Sequence, residues 1–119
     1  MQLQDPLLLE QAQIFKALGH PSRLLIVETL RGGPRCVCEL QALVGSDLST
    51  VSKHLSVLRQ AGIVTSEKKG TSIYYRLAMP CLERFLSCLC DIVEKRCAAR
   101  QQILDDALRA LRDERRAGK

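Results

Sequence analysis

Cys36 and Cys38 flank a single valine in the run GGPRCVCELQALVG, where the pattern predicts a helix start. Helix starts favour Ser, Thr, Asp or Asn, because a side-chain oxygen there accepts one of the free backbone N–H groups. Thiols in that place do other chemistry. Cys36-Val37-Cys38-Glu39 has the spacing of a capping box, with Cys36 at the cap and Glu39 three residues on. Residues two apart on a regular helix point to opposite sides. A cap residue is not helical, so both sulfurs can swing toward the helix end. The free amides and the positive dipole end favour thiolate over thiol there, and Arg35 adds a positive charge. Two soft anionic ligands close together suit Cd(II), Pb(II), Zn(II) or a trivalent metalloid. The plainer alternative is a pair of small, half-buried residues.

Four more cysteines follow, at 81, 88, 90 and 97. An even count suggests disulfides in a secreted protein. The N-terminus MQLQDPLLLEQ has no basic n-region and only a short apolar run, so no signal peptide is expected. No apolar run approaches the ~20 residues needed to span a bilayer. A cytoplasmic location is expected, where soft-metal ligation, redox sensing or simple packing are the better readings of cysteine. At ~100° per residue, Cys90 and Cys97 share one edge of the last helix's apolar stripe, and Cys81 and Cys88 the opposite edge. Sulfurs two turns apart, near ~10 Å, cannot share one ion on a straight helix. A shared site would need a partner subunit or a local distortion. Small hydrophobes at a dimer seam are an equal reading.

The elements that must position these thiols are mainly helical. The chain has 119 residues, enough for one domain and one core. Aromatics make up 3%, so the core is expected from Leu, Ile, Val and Ala. A first helix should run from Asp5–Pro6 to Gly19, with Leu8, Ala12, Phe15 and Leu18 at helical spacing. A second runs from His20–Pro21 to Gly32–Gly33, and a third, VCELQALVG, ends at Gly45. The fourth has Asp47 as its cap and Gly62 as its stop, with Leu48, Val51, Leu55 and Leu58 as its buried stripe. The period then changes. IVTSEKKGTSIYYRLA holds two β-rich runs around Lys69–Gly70, and Ile73, Tyr75 and Leu77 alternate with Ser72, Tyr74 and Arg76. From about Pro80 to Arg112 one long helix is predicted, striped by Leu82, Phe85, Leu86, Leu89, Ile92, Val93, Ile103, Leu104, Ala107 and Leu111. The final RDERRAGK reads as frayed.

Helices three and four, joined by a tight turn, form a helix-turn-helix, and a hairpin directly after them is the winged variant. The expected fold class is therefore mainly α with a small β-hairpin, a winged helix-turn-helix. It is read as one DNA-binding domain over 1–119, with the helix-turn-helix at about 36–61, the wing at about 63–78 and a C-terminal dimerisation helix at about 80–112. The long helix carries more apolar stripe than a small domain covers, so pairing with a twin, together with the first helix, is expected.

Off the stripe of helix four lie Ser49, Thr50, Ser52, Lys53, Ser56 and Arg59. Short polar and basic side chains of this kind suit approach to base edges in a major groove. Lys53 and Arg59, with Lys68, Lys69 and Arg76 of the hairpin, suit phosphate contacts. The net charge of +5 permits such a partner without selecting it. The plain alternative is a solvated face and a charged turn. His54 reads as a packing and hydrogen-bonding residue, and His20 as a local cap. No paired acid and base or nucleophile–His–acid set is present, so no enzyme is expected. A membrane-surface role would need a basic amphipathic helix with bulky anchors, which is absent.

ALGHPSRLLIVETL, CVCEL, STVSKHLSVLRQAGIV and KKGTSIYYRL together resemble the ArsR/SmtB family of metal- and metalloid-responsive repressors. The resemblance covers roughly Ala12 to Leu77, and CVCEL is similar to the CVCDL box of the arsenite-responsive branch. It implies a homodimeric winged-helix repressor that leaves operator DNA when As(III) or Sb(III) binds cysteine thiolates, in the setting of arsenic resistance, with no other cofactor required. Cys36 and Cys38 are the implied ligands. That branch usually has a third cysteine three residues after the second, and Gln41 stands there. The third ligand is left to Cys81, Cys88, Cys90 or Cys97, to a small thiol or water, or two thiolates suffice, as for a mono-organoarsenical. A Cd-, Pb- or Zn-responsive repressor of the same fold, or a thiol redox or persulfide sensor, are the alternatives. The zinc pattern of the SmtB branch is missing, since no histidine follows Asp91.

Overall fold

Asp5, His20, Cys36 and Asp47 each end a turn and start a helix in the computed structural model, which describes residues 2–118. Each caps by accepting a backbone N–H. Asp5 takes that of Leu7 at 3.0 Å, His20 Nδ1 that of Ser22 at 3.1 Å, and Asp47 that of Thr50 at 3.0 Å. The helices so started are α1 (Pro6–Leu18), α2 (Pro21–Leu30), α3 (Val37–Val44) and α4 (Leu48–Gln60). Pro6 and Pro21 occupy first-turn positions, where a missing N–H costs nothing. Gly45 closes α3 at φ 77, a left-handed conformation that glycine adopts without a Cβ penalty.

Three strands follow the order β1-β3-β2: β1 (Arg35–Cys36), β2 (Val64–Lys69) and β3 (Ser72–Leu77). β2 and β3 form the predicted hairpin, with Thr65 opposite Arg76, Glu67 opposite Tyr74 and Lys69 opposite Ser72. Gly70, at φ 64, opens its two-residue turn. The strand β1 was not predicted. Two residues carry no periodicity, and only pairing with β3 makes them a strand: Arg35 opposite Tyr75 and Cys36 opposite Tyr74.

Residues Met1–Glu83 form one compact unit. Its core is aliphatic: Ala17, Leu18, Ile26, Val27, Leu30, Leu40, Val51, Leu55, Leu58, Ile63, Val64 and Leu82, with Cys36 beside them. One expectation needs correction. Leu48 is 50% exposed, because it stands in the first turn of α4, beyond the helices that cover Val51, Leu55 and Leu58. On α1 only the C-terminal end is buried; Phe15 is 63% exposed and Ala12 is also open. The second unit is Arg84–Lys119. The last helix, α5 (Pro80–Ala117), runs five residues past the predicted end at Arg112. Arg115 and Arg116 in its last turn oppose the negative end of the helix dipole, which favours helix over fraying. Among the described residues, no helix is long and apolar enough to cross a membrane.

Candidate DNA-reading face and its cysteine pair

Burial of Val51, Leu55 and Leu58 fixes the rotation of α4. Ser49, Thr50, Ser52, Lys53, Ser56 and Arg59 are then all exposed. At ~100° per residue, Ser49, Lys53 and Ser56 fall directly opposite the buried stripe, with Ser52 beside them. The N-terminal turns of this face carry only short side chains and one lysine. Arg59, further along, donates to Ser66 Oγ of β2 at 3.1 Å, which ties the end of α4 to the hairpin. The hydrogen bonds from the Thr50 side chain and amide hold the Asp47 carboxyl below its usual range.

Lys68, Lys69 and Arg76 are exposed on the hairpin. The register divides them. Lys69, Tyr74 and Arg76 share one face with Thr65, and Lys68 lies on the other with Ser66. Arg76 Nε donates to Thr65 Oγ1 at 3.3 Å, and the Lys69 ammonium sits 5.7 Å from the centre of the Tyr74 ring. The predicted basic groups are all on the surface, but they form two rows rather than one.

Arg23 has a role that sequence reading missed. Gly19 ends α1 at φ −79, not in the left-handed form, so the last carbonyls of α1 need another partner. Arg23 supplies it, with Nε donating to Ala17 O at 2.7 Å and a guanidinium nitrogen to Lys16 O at 3.2 Å. Its other terminal nitrogen lies 3.4 Å from His54 Nδ1 on α4. The His20 and His54 rings stand 4.6 Å apart. His54 is thus a packing and hydrogen-bonding residue, as expected. Burial first, then the charges of His20 and Arg23, pushes its pKa down and disfavours the charged ring. One guanidinium so locks α1, α2 and α4 together. The only sequence signal was an arginine three residues after a capping histidine.

The cysteine pair converges as the capping argument requires. Cys36 is extended, at φ −76 and ψ 159, and its sulfur accepts the Glu39 N–H at 3.4 Å. Cys38 is in the first turn of α3, and its sulfur meets that of Cys36 as a disulfide, with the Cα atoms 5.4 Å apart. The two differ in access: Cys36 is 5% exposed, whereas Cys38 is open to solvent. Glu39 Oε1 lies 3.4 Å from Cys36 Sγ, and Arg35 Nε lies 3.7 Å from the same carboxylate. Cys81, Cys88 and Cys97 are exposed and Cys90 is half-buried, none of them in a disulfide. Among the described residues no three His, Cys, Asp or Glu side chains converge. The pair itself supplies two sulfurs, which suits a soft ion with at least one position left open.

Known proteins are similar to this chain in sequence and in fold. A family profile described as "Bacterial regulatory protein, arsR family" matches residues 20–66. The chain is 36% identical over 103 residues to the HTH-type transcriptional regulator Rv0081 of Mycobacterium tuberculosis, covering 86% of this chain and 90% of that one. The crystal structure of Rv0081 superposes with a TM-score of 0.74 at 34% identity, covering 82% of this chain and 98% of the other. A solution structure from Mycobacterium bovis, Mb0332, described as a homodimeric winged helix-turn-helix DNA-binding domain, gives 0.70 at 30% identity, covering 80% and 91%. The biofilm growth-associated repressor of Agrobacterium fabrum is 40% identical over 80 residues, 67% of this chain and 68% of its own.

Proposed function

This chain belongs to the arsR family of bacterial regulatory proteins, and we propose that it is a homodimeric, DNA-binding transcriptional repressor whose hold on its operator is set by Cys36 and Cys38. The relatives are regulators rather than enzymes, in agreement with the sequence expectation. The exposed short-chain face of α4 enters the major groove, and Lys53, Arg59, Lys68, Lys69 and Arg76 meet phosphates. Phe15 of α1 and the apolar positions of α5, among them Ile103, Leu104 and Leu111, are exposed in the single chain and take the second copy.

The inducer is a soft thiophilic ion, As(III) or Sb(III), held by the two thiolates. The observation that carries this reading is the convergence of both sulfurs at the start of α3. Because the pair itself supplies two sulfurs, a mono-organoarsenical, whose carbon substituent fills the third position, fits the same donors. Cd, Pb or Zn would need further donors from outside the pair.

Cys36 does two structural jobs at once, as the cap of α3 and the last residue of β1. When both sulfurs turn to a shared ligand, Cys36 gives up the Glu39 amide, and the first turn of α3 loses its cap. α3 packs on α4, and β1 pairs with the central strand of the wing, so both DNA-contacting elements feel the change. A coupling of ~1–3 kcal/mol suffices to release the operator.

The test is operator binding by fluorescence anisotropy with fully reduced protein, titrated separately with arsenite, phenylarsine oxide and Zn(II). Release by the arsenicals in wild type, and its loss in both Cys36→Ser and Cys38→Ser, is expected. Release at wild-type arsenite in both variants would place the sensor elsewhere.

A further inference from the structure

We propose that hydroperoxides convert Cys36 and Cys38 into a reversible disulfide that keeps the DNA-binding fold and closes the site to soft ions, so that oxidation locks the repressor on. The proposal rests in part on the soft-ion reading above.

Three observations carry it. The two sulfurs are paired in the structure, across a Cα separation of 5.4 Å that is ordinary for a disulfide. The paired state leaves the DNA-reading architecture whole. α3 is helical from Val37, the Cys36 sulfur still accepts the Glu39 N–H, and β1 still pairs with β3. Access is unequal, with Cys38 exposed and Cys36 buried, so an oxidant in solution meets one sulfur and not the other. Holding a soft ion, by contrast, needs both sulfurs reduced and, on the reading above, draws Cys36 away from its cap.

The chemistry balances with a hydroperoxide as the oxidant. The Cys38 thiolate attacks one peroxide oxygen, the O–O bond breaks, and the departing alkoxide or hydroxide takes up a proton. Cys38 is now a sulfenic acid, oxidised by two electrons. The Cys36 sulfur attacks Cys38, the S–S bond forms, the S–O bond breaks, and the hydroxide leaves with the thiol proton as water. Two thiols and one hydroperoxide give one disulfide, one alcohol or water, and one further water. A thiol reductant reverses the pairing by exchange.

The test uses the full chain, reduced or treated with hydrogen peroxide, with three readouts. First, the tryptic peptide Cys36–Lys53 should be lighter by two hydrogens after oxidation, and reductant should restore it. In Cys36→Ser, where serine keeps the cap, Cys38 should instead accumulate as a sulfenic acid that dimedone traps; Cys38→Ser should give no such adduct on that peptide. Second, operator affinity of the oxidised protein should stay within about threefold of the reduced form. Third, phenylarsine oxide should form an adduct on Cys36–Lys53 only in the reduced protein. Absence of the lighter peptide, or a fall in operator affinity of about tenfold or more on oxidation, overturns the proposal. An adduct on the reduced pair without operator release overturns the soft-ion reading instead and leaves the first two readouts to judge the lock.

Discussion

Cys36 stands opposite Tyr74 across the β1–β3 ladder, so the buried thiol of the pair is a backbone neighbour of the wing. On the far side of β3, Tyr74 faces Glu67 of β2, and Lys69 sits over its ring. A change at the pair therefore has a short route to the hairpin as well as to α4.

That route is measurable by amide hydrogen exchange. Adding arsenite to the reduced protein should speed exchange in the first turn of α3 and along β3, and leave Ile26 and Val27 in the core of α2 protected. Faster exchange confined to α3, with β3 unchanged, would remove the wing from the mechanism.

Phosphate contacts predict a steep salt dependence of operator binding, with a log–log slope of about −0.9 for each contact. Lys53→Ala, Lys69→Ala and Arg76→Ala should each weaken binding and each reduce that slope by about one unit. A variant that loses affinity with its slope intact does not lose a phosphate contact.

Two leucines of the predicted stripe of α4 should separate cleanly. Leu55 is 1% exposed, and Leu55→Ala should cost about 2–5 kcal/mol through lost transfer energy and a residual cavity. Leu48 is half-exposed, and Leu48→Ala should stay within about 0.5 kcal/mol. Urea denaturation under reducing conditions reads both. Equal costs would contradict the burial pattern.

His54 predicts a pH dependence of stability. Its folded pKa lies below the ordinary 6.5, because burial, then His20 and Arg23, disfavour the charged ring. The unfolded chain therefore binds the proton more readily. Stability from this group is complete above pH 6.5 and is lost as pH falls through the lowered folded value. Urea midpoints should drop between about pH 7.5 and 5.5, and His54→Gln should flatten that drop. An unchanged drop in the variant would assign the effect to other groups.

The sequence by itself determined the N-caps of the first four helices, the hairpin around Lys69–Gly70 and the polar face of α4. Those features follow from local hydrogen bonding at Asp5, His20, Cys36 and Asp47 and from periods of 3.6 and 2 residues, all written within a few neighbouring positions. It also pointed to the family, through CVCEL and the α4 run. Only the tertiary structure decided the rest. β1 exists because β3 is beside it, and two residues have no period of their own to reveal a strand. Leu48 is open because the packed helices stop short of the first turn of α4, a limit set by neighbours and not by the stripe. Arg23 locks three helices because α1 ends without a left-handed glycine and leaves carbonyls to satisfy. The cysteine pair shows both halves: the sequence placed two thiols at one helix start, and the fold buried one and exposed the other.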